Sequence, residues 1–450
     1  MTLAAVILAA GQGTRLKSKL PKVLHRLGGR PLVEYPLAAA QAVTQTPPVL
    51  VIGHGADGVR AALGDTVRYV TQEQQLGTGH AVLQAEAALK GQSDVVLVIY
   101  ADMPLLQAET LRALVDMQAR NSGPLTLLTV ISPRPSDFGR IVRDETGQVQ
   151  AIVEVAQATP EQLRITELNP GAYCFNADWL WRTLPRLPLS PKGEYYLTDM
   201  VGLAVAEGGN VATVTLEEEI ETLGINTRAQ LAQAEAALRQ RLNAQWMAAG
   251  VTFIDPATTY IEPTVQIGRD TLLLPNTHLQ GRTVVGEDCV IGPNTIARDT
   301  TIGRACHIEC SVLEGAWLAD EVEVGPFAHL RSGARLERGV HMGNFGEIKN
   351  STLGPGVKMG HFSYVGDATL GANVNIGAGT ITCNFDGVRK NKTVIGEDVF
   401  VGSDTLLVAP VTLGDRSRTG AGSVVTKNIP ADSLAVGAPA RVIRRLNSEQ

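Results

Sequence analysis

Two widely separated stretches of the sequence carry side chains suited to binding phosphates and moving protons. In the first, LAAGQGTRLKSKLPKVLH (Leu8 to His25), Gly11 and Gly13 allow a phosphate to approach the backbone closely. Arg15 and Lys22 add the cations that a polyphosphate requires. The third glycine of the dinucleotide fingerprint and the Gly-Lys-Ser/Thr of a P-loop are both missing. The stretch therefore indicates either a phosphate-binding loop of another kind or a plain turn.

Asp102 is the candidate metal ligand of the same half of the chain. It follows the apolar run VVLVIY, which predicts a buried strand, so its carboxylate is expected at a carboxyl end of the sheet. Mg²⁺ prefers oxygen ligands and bridges substrate phosphates. The alternative is an aspartate that caps the next turn, which Pro104 favours. This residue alone leaves both interpretations open.

The second stretch, KMGHFSYVGD (Lys358 to Asp367), places His361 and Tyr364 inside a structural repeat. The repeat accounts for Met359-Gly360 and Val365-Gly366 but requires no particular side chain between them. Histidine can act as a base near neutral pH, and the alternative is an inert surface histidine. The base is favoured by polar residues around the same part of the chain, namely Arg331, Lys349, Asn375, Asn384 and Lys390.

The N-terminal half must position the first group of residues. Up to residue 225, short apolar runs such as VLVIG and LTLLTVI alternate with helix-like stretches such as PLVEYPLAAAQAV, TGHAVLQAEAALK and AETLRALVDMQAR. This alternation predicts a mostly parallel, three-layer α/β sheet, which collects its ligands at the carboxyl ends of the strands. The sequence therefore predicts one domain over residues 1–225.

The C-terminal half shows a different period. Residues 226–250 have helical spacing and predict a connecting helix. From 251 to 450, aliphatic-Gly pairs such as Ile291-Gly292, Ile302-Gly303 and Ile376-Gly377 recur at intervals of six or near multiples of six. This period predicts a parallel β-helix of hexapeptide rungs. It is interrupted at Ala378–Thr393, where we expect a loop that leaves the coil.

Composition excludes several classes of protein. The net charge of −6 over 450 residues provides no basic surface for nucleic acid. No apolar run reaches the ~18–20 residues needed to span a bilayer, and the N-terminus lacks the basic region of a signal peptide. Five cysteines without a CxxC pair suit a reducing compartment. We therefore expect a cytoplasmic protein that binds neither nucleic acid nor membranes.

A series of short motifs resembles, in order, those of the sugar-1-phosphate nucleotidyltransferases. The motifs are AAGQGTRLKSKLPKVLH, QLGTGHA (Gln75–Ala81), YADMP (Tyr100–Pro104), FGRIVR, IVE, NPG and GIN (Gly224–Asn226). Joined to a hexapeptide coil, they resemble the family of bifunctional N-acetylglucosamine-1-phosphate uridyltransferases/glucosamine-1-phosphate acetyltransferases over nearly the whole chain. The resemblance implies a Rossmann-like nucleotidyltransferase domain, a long connecting helix and a left-handed parallel β-helix. It also implies an enzyme of UDP-N-acetylglucosamine biosynthesis, which supplies cell-wall and surface-glycan precursors.

The resemblance assigns residues to uridylyl transfer. Nucleotide contacts would come from Leu8, Ala10, Gly11, Gly13, Gln72 and Gln75, with Gly77 and Thr78 near the uracil or ribose. Phosphates would be held by Arg15 and Lys22, Mg²⁺ by Asp102 and Asn226, and the sugar by Gly139, Glu154 and Asn169. A phosphate oxygen of N-acetylglucosamine-1-phosphate would attack the α-phosphorus of UTP, and pyrophosphate would leave. Such a step needs alignment and charge neutralisation, with no covalent nucleophile.

The resemblance assigns the coil to acetyl transfer from acetyl-CoA to glucosamine-1-phosphate. His361 would be the general base, because a protonated amine cannot attack a thioester. Arg331, Lys349 and Lys390 would face the sugar phosphate, and Tyr364, Asn375 and Asn384 would position the sugar or the acetyl group. The acetyl-CoA site would be lined by Ala378, Ser403 and Ala421. The family also implies a homotrimer whose acetyl sites are shared between neighbouring subunits.

The chain departs from the family pattern at several positions. Ala101 replaces a glycine, Pro170 a threonine, and Val155-Ala156 a polar pair, all near the expected sugar pocket. Phe385 replaces a tyrosine of the acetyl site. Ala438 stands where the family has an arginine for the CoA phosphate, so Arg441 or Arg444 is the expected substitute. These changes bear on sugar selectivity and CoA binding and leave the reaction class unchanged.

Three alternative interpretations remain at the level of sequence. The β-helix could be only an assembly or regulatory module of a nucleotidyltransferase. The chain could also be a non-catalytic scaffold, but Arg15, Lys22 and Asp102 are all present. A zinc-dependent β-helix hydrolase would need converging histidines, and the histidines of the coil show no close pair.

Overall fold

The computed structural model describes residues 1–133 and 137–446, which fall into two compact units, Met1–Leu238 and Arg239–Gln450. Between them the chain forms one continuous helix, Arg228–Ala248, and the boundary between the units falls within it. The predicted connecting helix is therefore present, two residues shorter at each end. The three-part division at 225 and 250 stays a prediction.

The N-terminal unit is built on one ten-stranded sheet and a small two-stranded ribbon. The strands are β1 (Leu3–Leu8), β2 (Arg26–Leu27), β3 (Arg30–Pro31), β4 (Val49–Ile52), β5 (Arg68–Thr71), β6 (Val95–Tyr100), β7 (Leu125–Ile131), β8 (Gly139–Arg143), β9 (Val149–Val153), β10 (Glu167–Asn169), β11 (Tyr173–Asn176) and β12 (Val211–Leu216). In the sheet the order is β5-β4-β1-β6-β11-β7-β10-β8-β9, with β12 also paired to β7.

Pairing in this sheet is parallel in its first half and largely antiparallel in its second. Strands β5, β4, β1 and β6 are parallel to one another, as predicted for strands separated by helices. Strands β11, β10, β8 and β9 all pair antiparallel with their neighbours. The prediction of a mostly parallel sheet was therefore wrong for residues 125–176. The connections there are too short to contain crossover helices, which parallel pairing requires.

Helices lie between the strands of this unit. They are α1 (Glu34–Gln41), α2 (Ala56–Leu63), α3 (Thr78–Leu83), α4 (Glu86–Leu89), α5 (Ala108–Arg120), α6 (Ala177–Thr183), α7 (Asp199–Ala206) and α8 (Arg228–Ala248). Short 3-10 turns occur at Thr14–Leu16, Lys22–Leu24, Val155–Gln157, Gln162–Arg164, Leu184–Arg186, Glu219–Thr222 and, in the second unit, Pro256–Thr258. The single helix predicted over TGHAVLQAEAALK is divided into α3 and α4.

The C-terminal unit is a coil whose strands form three sheets, here called the first, second and third faces. The first face contains Thr252–Phe253, Leu272–Leu273, Val290–Ile291, His307–Ile308, Glu323–Val324, His341–Met342, Lys358–Met359, Asn375–Ile376, Phe400–Val401, Arg418–Thr419, Ser433–Val436 and Arg441–Arg445. The second face contains Tyr260–Ile261, His278–Gln280, Ile296–Arg298, Val312–Glu314, His329–Leu330, Gly346–Lys349, Ser363–Gly366, Ile381–Cys383, Leu406–Val408 and Val424–Val425. The third face contains Gln266–Ile267, Val284–Val285, Thr301–Ile302, Trp317–Leu318, Arg335–Leu336, Thr352–Leu353, Ala368–Leu370, Thr393–Ile395 and Val411–Leu413.

Successive coils stack in parallel register, and this stacking forms the core. Leu273 pairs with Ile291, which pairs with Ile308, and all three are fully buried. One aliphatic side chain from most of these short strands thus points into the coil. Only the last pair of the first face is antiparallel. The architecture agrees with the predicted α/β domain followed by a left-handed parallel β-helix.

Candidate active sites

A cavity of about 270 Å³ opens at the carboxyl ends of β1, β5 and β6. We call it the N-terminal cavity. Nine residues predicted to bind the nucleotide, a phosphate or the metal line it: Leu8, Ala10, Gly11, Lys22, Gln72, Gln75, Gly77, Thr78 and Asp102. The parallel half of the sheet brings them together, because carboxyl ends of parallel strands meet at one edge.

The loop after β1 owes its shape to Gly13. This residue has φ +63°, and a Cβ there would lie 2.5 Å from Cβ of Lys22. A glycine is therefore needed for the Lys22 stem to pack across the loop. Leu16 anchors the following 3-10 turn in the core, with 2% of its surface exposed. Arg15 points elsewhere: its side chain is 61% exposed and its guanidinium lies 3.9 Å from the Asp137 carboxylate.

Lys22, Asp102 and Asn226 form a polar cluster at the cavity. The Lys22 ammonium donates to a carboxylate oxygen of Asp102 and, at 2.6 Å, to Oδ1 of Asn226. A backbone hydrogen bond holds the two segments together, because the N–H of Ile225, next to Asn226, donates to the Asp102 carbonyl at 2.9 Å. Asn226 is held in turn by Gln230, whose Oε1 accepts from the Asn226 N–H at 2.9 Å. Asp102 and Asn226 are thus placed side by side before any ligand binds.

The donor set of this cluster suits a hard divalent cation. It offers one carboxylate and one side-chain amide oxygen, and the charged amine of Lys22 already lies between them. Within residues 1–133 and 137–446, no group of three or more His, Cys, Asp or Glu side chains could hold a metal. A metal bound at Asp102 and Asn226 would therefore take its other ligands from substrate phosphates and water, as Mg²⁺ usually does.

The residues predicted for the sugar are gathered beside the cavity, on the antiparallel half of the sheet. Gly139 and Asn169 are register partners on β8 and β10. A Cβ on Gly139 would lie 3.8 Å from the Glu154 carboxyl carbon. Thr198 donates to Glu154 at 3.0 Å. Burial nevertheless raises the pKa of Glu154, and the nearby Asp199 carboxylate adds to the rise.

Asn169 carries a buried acceptor in this pocket. Its Nδ2 donates to the hydroxyl of Tyr173 at 2.7 Å. Its Oδ1 is buried and has no hydrogen-bond partner among the residues that the structure describes. A buried polar atom without a partner is costly, so a ligand donor, such as a sugar hydroxyl, would stabilise the site.

Several lining residues of the N-terminal cavity escaped sequence analysis. They are Ala9, Val23, Ala81, Tyr100, Glu194 and Tyr196. The segment around Tyr195 also holds the predicted Gly77 loop, since Tyr195 N–H donates to Leu76 O and Gly79 N–H to Tyr195 O, both at 2.8 Å. A Cβ on Gly77, whose φ is +97°, would lie 2.6 Å from Tyr195 O. The sequence could have indicated Tyr100, because it ends the predicted strand before Asp102. No local pattern in the sequence indicates that residues 194–196 reach the cavity.

The second site lies along one corner of the coil, between the first and second faces. On the first face, one register series consists of Lys358, Asn375, Phe400 and Arg418. Three positions after each of these residues comes a predicted site residue: in the same order, His361, Ala378, Ser403 and Ala421. Backbone hydrogen bonds join the corner residues, such as Gly379 N–H to Phe362 O at 2.7 Å and Gly422 N–H to Ser403 O at 2.8 Å. The predicted base therefore stands at the start of the predicted acetyl-CoA row, and its side chain is exposed.

Cations gather on the second face next to this corner. The amines of Lys349 and Lys390 lie close to each other, and the proximity of Lys390, together with the charge of Arg331, lowers the pKa of Lys349. Arg331 pairs with Glu347 at 2.9 Å, and Glu347 is the register partner of Tyr364. Cations this close repel each other, so a phosphate between them would be bound favourably.

Asp367 organises the neighbouring amides, and sequence analysis missed it. It accepts from Nδ2 of Asn350 at 2.6 Å and from Nδ2 of Asn384. Burial tends to raise its pKa, but the two amide donors and the charges of Lys390 and Lys349 outweigh burial and lower it. A Cβ on Gly366 would lie 2.8 Å from Asn384 Nδ2 and would clash with the Tyr364 hydroxyl. Tyr364 and Asn384 therefore converge above Gly366.

The interruption of the repeat is shorter than predicted. Ala378 and Gly379 form an ordinary corner, and Ile381–Cys383 is a strand of the second face, so the prediction of a loop over Ala378–Thr393 was wrong at its start. The chain leaves the coil only after Cys383. There Asp386 accepts from the N–H of Arg389, the side-chain amide of Asn391 and the N–H of Val388, which lowers its pKa to about 2.

Two predicted residues lie apart from this cluster. Asn375 is on the first face, paired with Lys358 and Phe400, around the corner from Tyr364. Arg441 begins the last strand of the first face and is exposed, opposite Val436. Both lie nearer the row formed by His361, Ala378, Ser403 and Ala421 than the cations Arg331, Lys349 and Lys390.

Comparisons with known proteins agree with the two predicted domains. Residues 5–139 match the MobA-like NTP transferase domain, and residues 264–298 and 392–427 match the bacterial transferase hexapeptide repeats. The chain is 47% identical to the bifunctional protein GlmU of Heliobacterium modesticaldum over 433 residues, covering 96% of this chain and 94% of that protein. It is 44% identical to that of Halalkalibacterium halodurans and 47% to that of Trichlorobacter lovleyi, again over 96% of this chain and 95% of each relative. The chain belongs to the GlmU family.

Membership decides between the alternatives left by the sequence. The chain is a bifunctional enzyme, a uridyltransferase and an acetyltransferase of UDP-N-acetylglucosamine biosynthesis, and its β-helix is a catalytic domain. The family and the NTP transferase domain indicate nucleotide substrates and a divalent metal. Hexapeptide coils are consistent with oligomerisation. In the described part of the chain, none of the helices has the length and apolar character needed to cross a membrane.

Proposed function

We propose that the N-terminal cavity transfers a uridylyl group from UTP to N-acetylglucosamine-1-phosphate. The Lys22, Asp102 and Asn226 cluster carries this proposal, because it brings cation-binding oxygens and a cation to one side of a nucleotide-sized cavity. Asp102 and Asn226 hold Mg²⁺, which neutralises charge on the phosphates when it is bound. Leu8, Ala10, Gly11, Gly13, Gln72, Gln75, Gly77 and Thr78 bind the nucleotide.

In this reaction the protein aligns two phosphorylated substrates. Lys22 binds phosphate oxygens, and Arg15 does so once its exposed guanidinium turns from Asp137 towards the cavity. Gly139, Glu154 and Asn169 hold the sugar beside them. A phosphate oxygen of the sugar forms the new bond to the α-phosphorus of UTP, and the bond to the β-phosphate oxygen breaks. Pyrophosphate carries the electron pair away. Since attacking and leaving groups are already ionised, no side chain has to transfer a proton.

We propose that the corner of the coil transfers an acetyl group from acetyl-CoA to glucosamine-1-phosphate. The position of His361 carries this proposal, because it begins the corner row of Ala378, Ser403 and Ala421, next to the second face that bears the cation cluster. His361 takes the proton of the attacking amine, the nitrogen bonds to the thioester carbonyl carbon, and the CoA thiolate leaves. Arg331, Lys349 and Lys390 bind the sugar phosphate, while Tyr364, Asn375, Asn384 and Arg441 position sugar and cofactor.

A cytoplasmic homotrimer completes the proposal. Its support is the apolar surface beside the corner, where Ile381 is 40% exposed, Leu406 36% and Val408 39%. Exposed aliphatic side chains in register on one sheet face favour association with other copies of the chain. His361 lies at the edge of that face, so neighbouring subunits could complete each acetyl site.

Two single substitutions test the assignment of the two reactions. His361→Ala is expected to abolish CoA thiol release with glucosamine-1-phosphate while leaving pyrophosphate release from UTP and N-acetylglucosamine-1-phosphate intact. Asp102→Ala is expected to do the reverse. Each variant is the folding control for the other, because both reactions are measured on the same chain. Undiminished acetylation by His361→Ala, or undiminished metal-dependent uridylyl transfer by Asp102→Ala, would refute the corresponding role.

A further inference from the structure

The side chain of Gln72 is held in one orientation at the wall of the N-terminal cavity. Only 3% of its surface is exposed. Its Nε2 donates to the carbonyl oxygen of Gly77 at 3.0 Å and lies 3.0 Å from Nδ1 of His80. Because a backbone carbonyl can only accept, the Gly77 contact shows which end of the amide is the NH2 group. Both protons of that group are therefore directed into the protein.

His80 supplies the second acceptor for this amide. Its Nδ1 faces an NH2 group, so Nδ1 is the unprotonated nitrogen and the ring proton lies on Nε2. Nε2 lies 3.2 Å from Nε2 of Gln84, which also donates to the His80 carbonyl at 3.0 Å. Gln84 is half-exposed, unlike Gln72, so its amide is the one that can turn over, offer its oxygen to the ring proton and leave the His80 carbonyl to water. A protonated ring would instead point an N–H at the NH2 group of Gln72. The arrangement thus needs a ring nitrogen that accepts.

The consequence is a free acceptor at the cavity. Among residues 1–133 and 137–446, the hydrogen bonds of the Gln72 amide all use Nε2, which leaves Oε1 for a ligand. Uracil carries a hydrogen on N3, whereas N3 of cytosine is an acceptor. An inward-facing Oε1 is therefore complementary to uracil and is repelled by N3 of cytosine. If the amide turned over, this preference would be reversed.

We propose that His80 is a positioning residue that sets the choice of nucleobase. It accepts one proton of Gln72 Nε2, and so holds Oε1 towards the N3–H of uracil. This inference rests on the proposed binding of UTP in the N-terminal cavity. Without His80, one buried Nε2 proton loses its acceptor, and the held orientation loses one of its two supports.

The test compares UTP with CTP in uridylyl-type transfer to N-acetylglucosamine-1-phosphate. We expect His80→Leu to lower the ratio of kcat/KM for UTP to kcat/KM for CTP by about tenfold or more, because a site built to hydrogen-bond one edge loses that discrimination. His80→Asn, whose Oδ1 can replace Nδ1 as acceptor, is expected to retain most of the ratio. General damage to the site would lower both nucleotides together and leave the ratio unchanged.

Each outcome separates this inference from the function on which it rests. An unchanged ratio in His80→Leu, or an equal loss in His80→Asn, would overturn the role of His80. His80→Phe keeps a ring without an acceptor and gives the same readout if the leucine variant fails to fold. A wild-type chain that does not use UTP would overturn the proposed function itself. Acetyl transfer, measured on every variant, reports that the coil is intact.

Discussion

Lys22 and Asn226, which are 204 positions apart, are joined by a hydrogen bond of 2.6 Å from Nζ to Oδ1. The same ammonium donates to Asp102, so Lys22 occupies both oxygens that we propose to hold Mg²⁺. A metal ion and the Lys22 ammonium cannot share these oxygens at short range, because like charges repel strongly. A metal held by the same oxygens would displace Nζ, and the Lys22 ammonium would then be available for a phosphate of UTP.

This competition predicts that removing the Lys22 charge tightens metal binding. In Lys22→Met, we expect the affinity for Mn²⁺ without nucleotide to rise about tenfold, equivalent to ~1.4 kcal/mol, as measured by the electron paramagnetic resonance signal of free Mn²⁺. Uridylyl transfer should fall, since the phosphates lose a cation. Lys19→Met is the matched control, because Lys19 is an exposed lysine of the same loop. Unchanged or weaker Mn²⁺ binding in Lys22→Met would contradict the competition.

The contact between Lys349 and Lys390 predicts the alkaline limb of acetyl transfer. Because the pKa of Lys349 is lowered, its positive charge is present at low pH and is lost at a lower pH than the ~10.4 of an ordinary lysine. We expect kcat/KM for glucosamine-1-phosphate to fall over that range. In Lys390→Met, kcat/KM should be lower throughout, and its alkaline limb should move to higher pH, because the neighbouring charge is gone.

The control for this experiment is Lys392→Met, which removes an exposed lysine from the same loop. Its alkaline limb should match that of the wild type. A limb that stays in place in Lys390→Met would show that Lys349 does not titrate in this range.

From the hydrogen bonds of Asp367, we predict that its replacement lowers both the stability of the protein and the rate of acetyl transfer. Its lowered folded-state pKa means that the stabilisation is present above its unfolded pKa of ~3.9 and is lost as the pH falls through the lowered value. In Asp367→Asn, an amide group would face the two amide donors, at a cost of ~1–3 kcal/mol. We expect a lower thermal midpoint at pH 7, a smaller difference near pH 3, and a higher KM for glucosamine-1-phosphate.

Asp398→Asn provides the matched control. Asp398 also has a positive φ, of +55°, and accepts from Asn373 at 3.1 Å, but it is exposed and remote from the cation cluster. Its replacement should change the thermal midpoint little and leave KM unaltered. If Asp367→Asn behaved like this control, Asp367 would have no role in organising the acetyl-transfer site.

Local patterns in the sequence were sufficient for residues whose role follows from their neighbours in the chain. Asp102 was predicted because an acidic residue directly follows a buried strand, and it does line the cavity. Aliphatic-Gly pairs predicted the coil, and they stack in register as expected. The antiparallel pairing of β8, β9 and β10 was missed, since alternation of strands and helices says nothing about strands joined by short turns.

What the sequence by itself determined was the repeat, the order of strands and helices, and the side chains available for phosphate, metal and proton chemistry. Only the tertiary structure decided which of them meet. Tyr195 contacts the Gly77 loop, Asp367 accepts hydrogen bonds from Asn350 and Asn384, and His80 contacts Gln72. The spacing of these residues along the chain predicts none of these contacts. The physical reason is that hydrogen bonds and ion pairs act over about 3–4 Å in space, whereas a motif describes distance along the chain. Lys22 and Asn226 show the difference most plainly, because folding alone brings them to 2.6 Å.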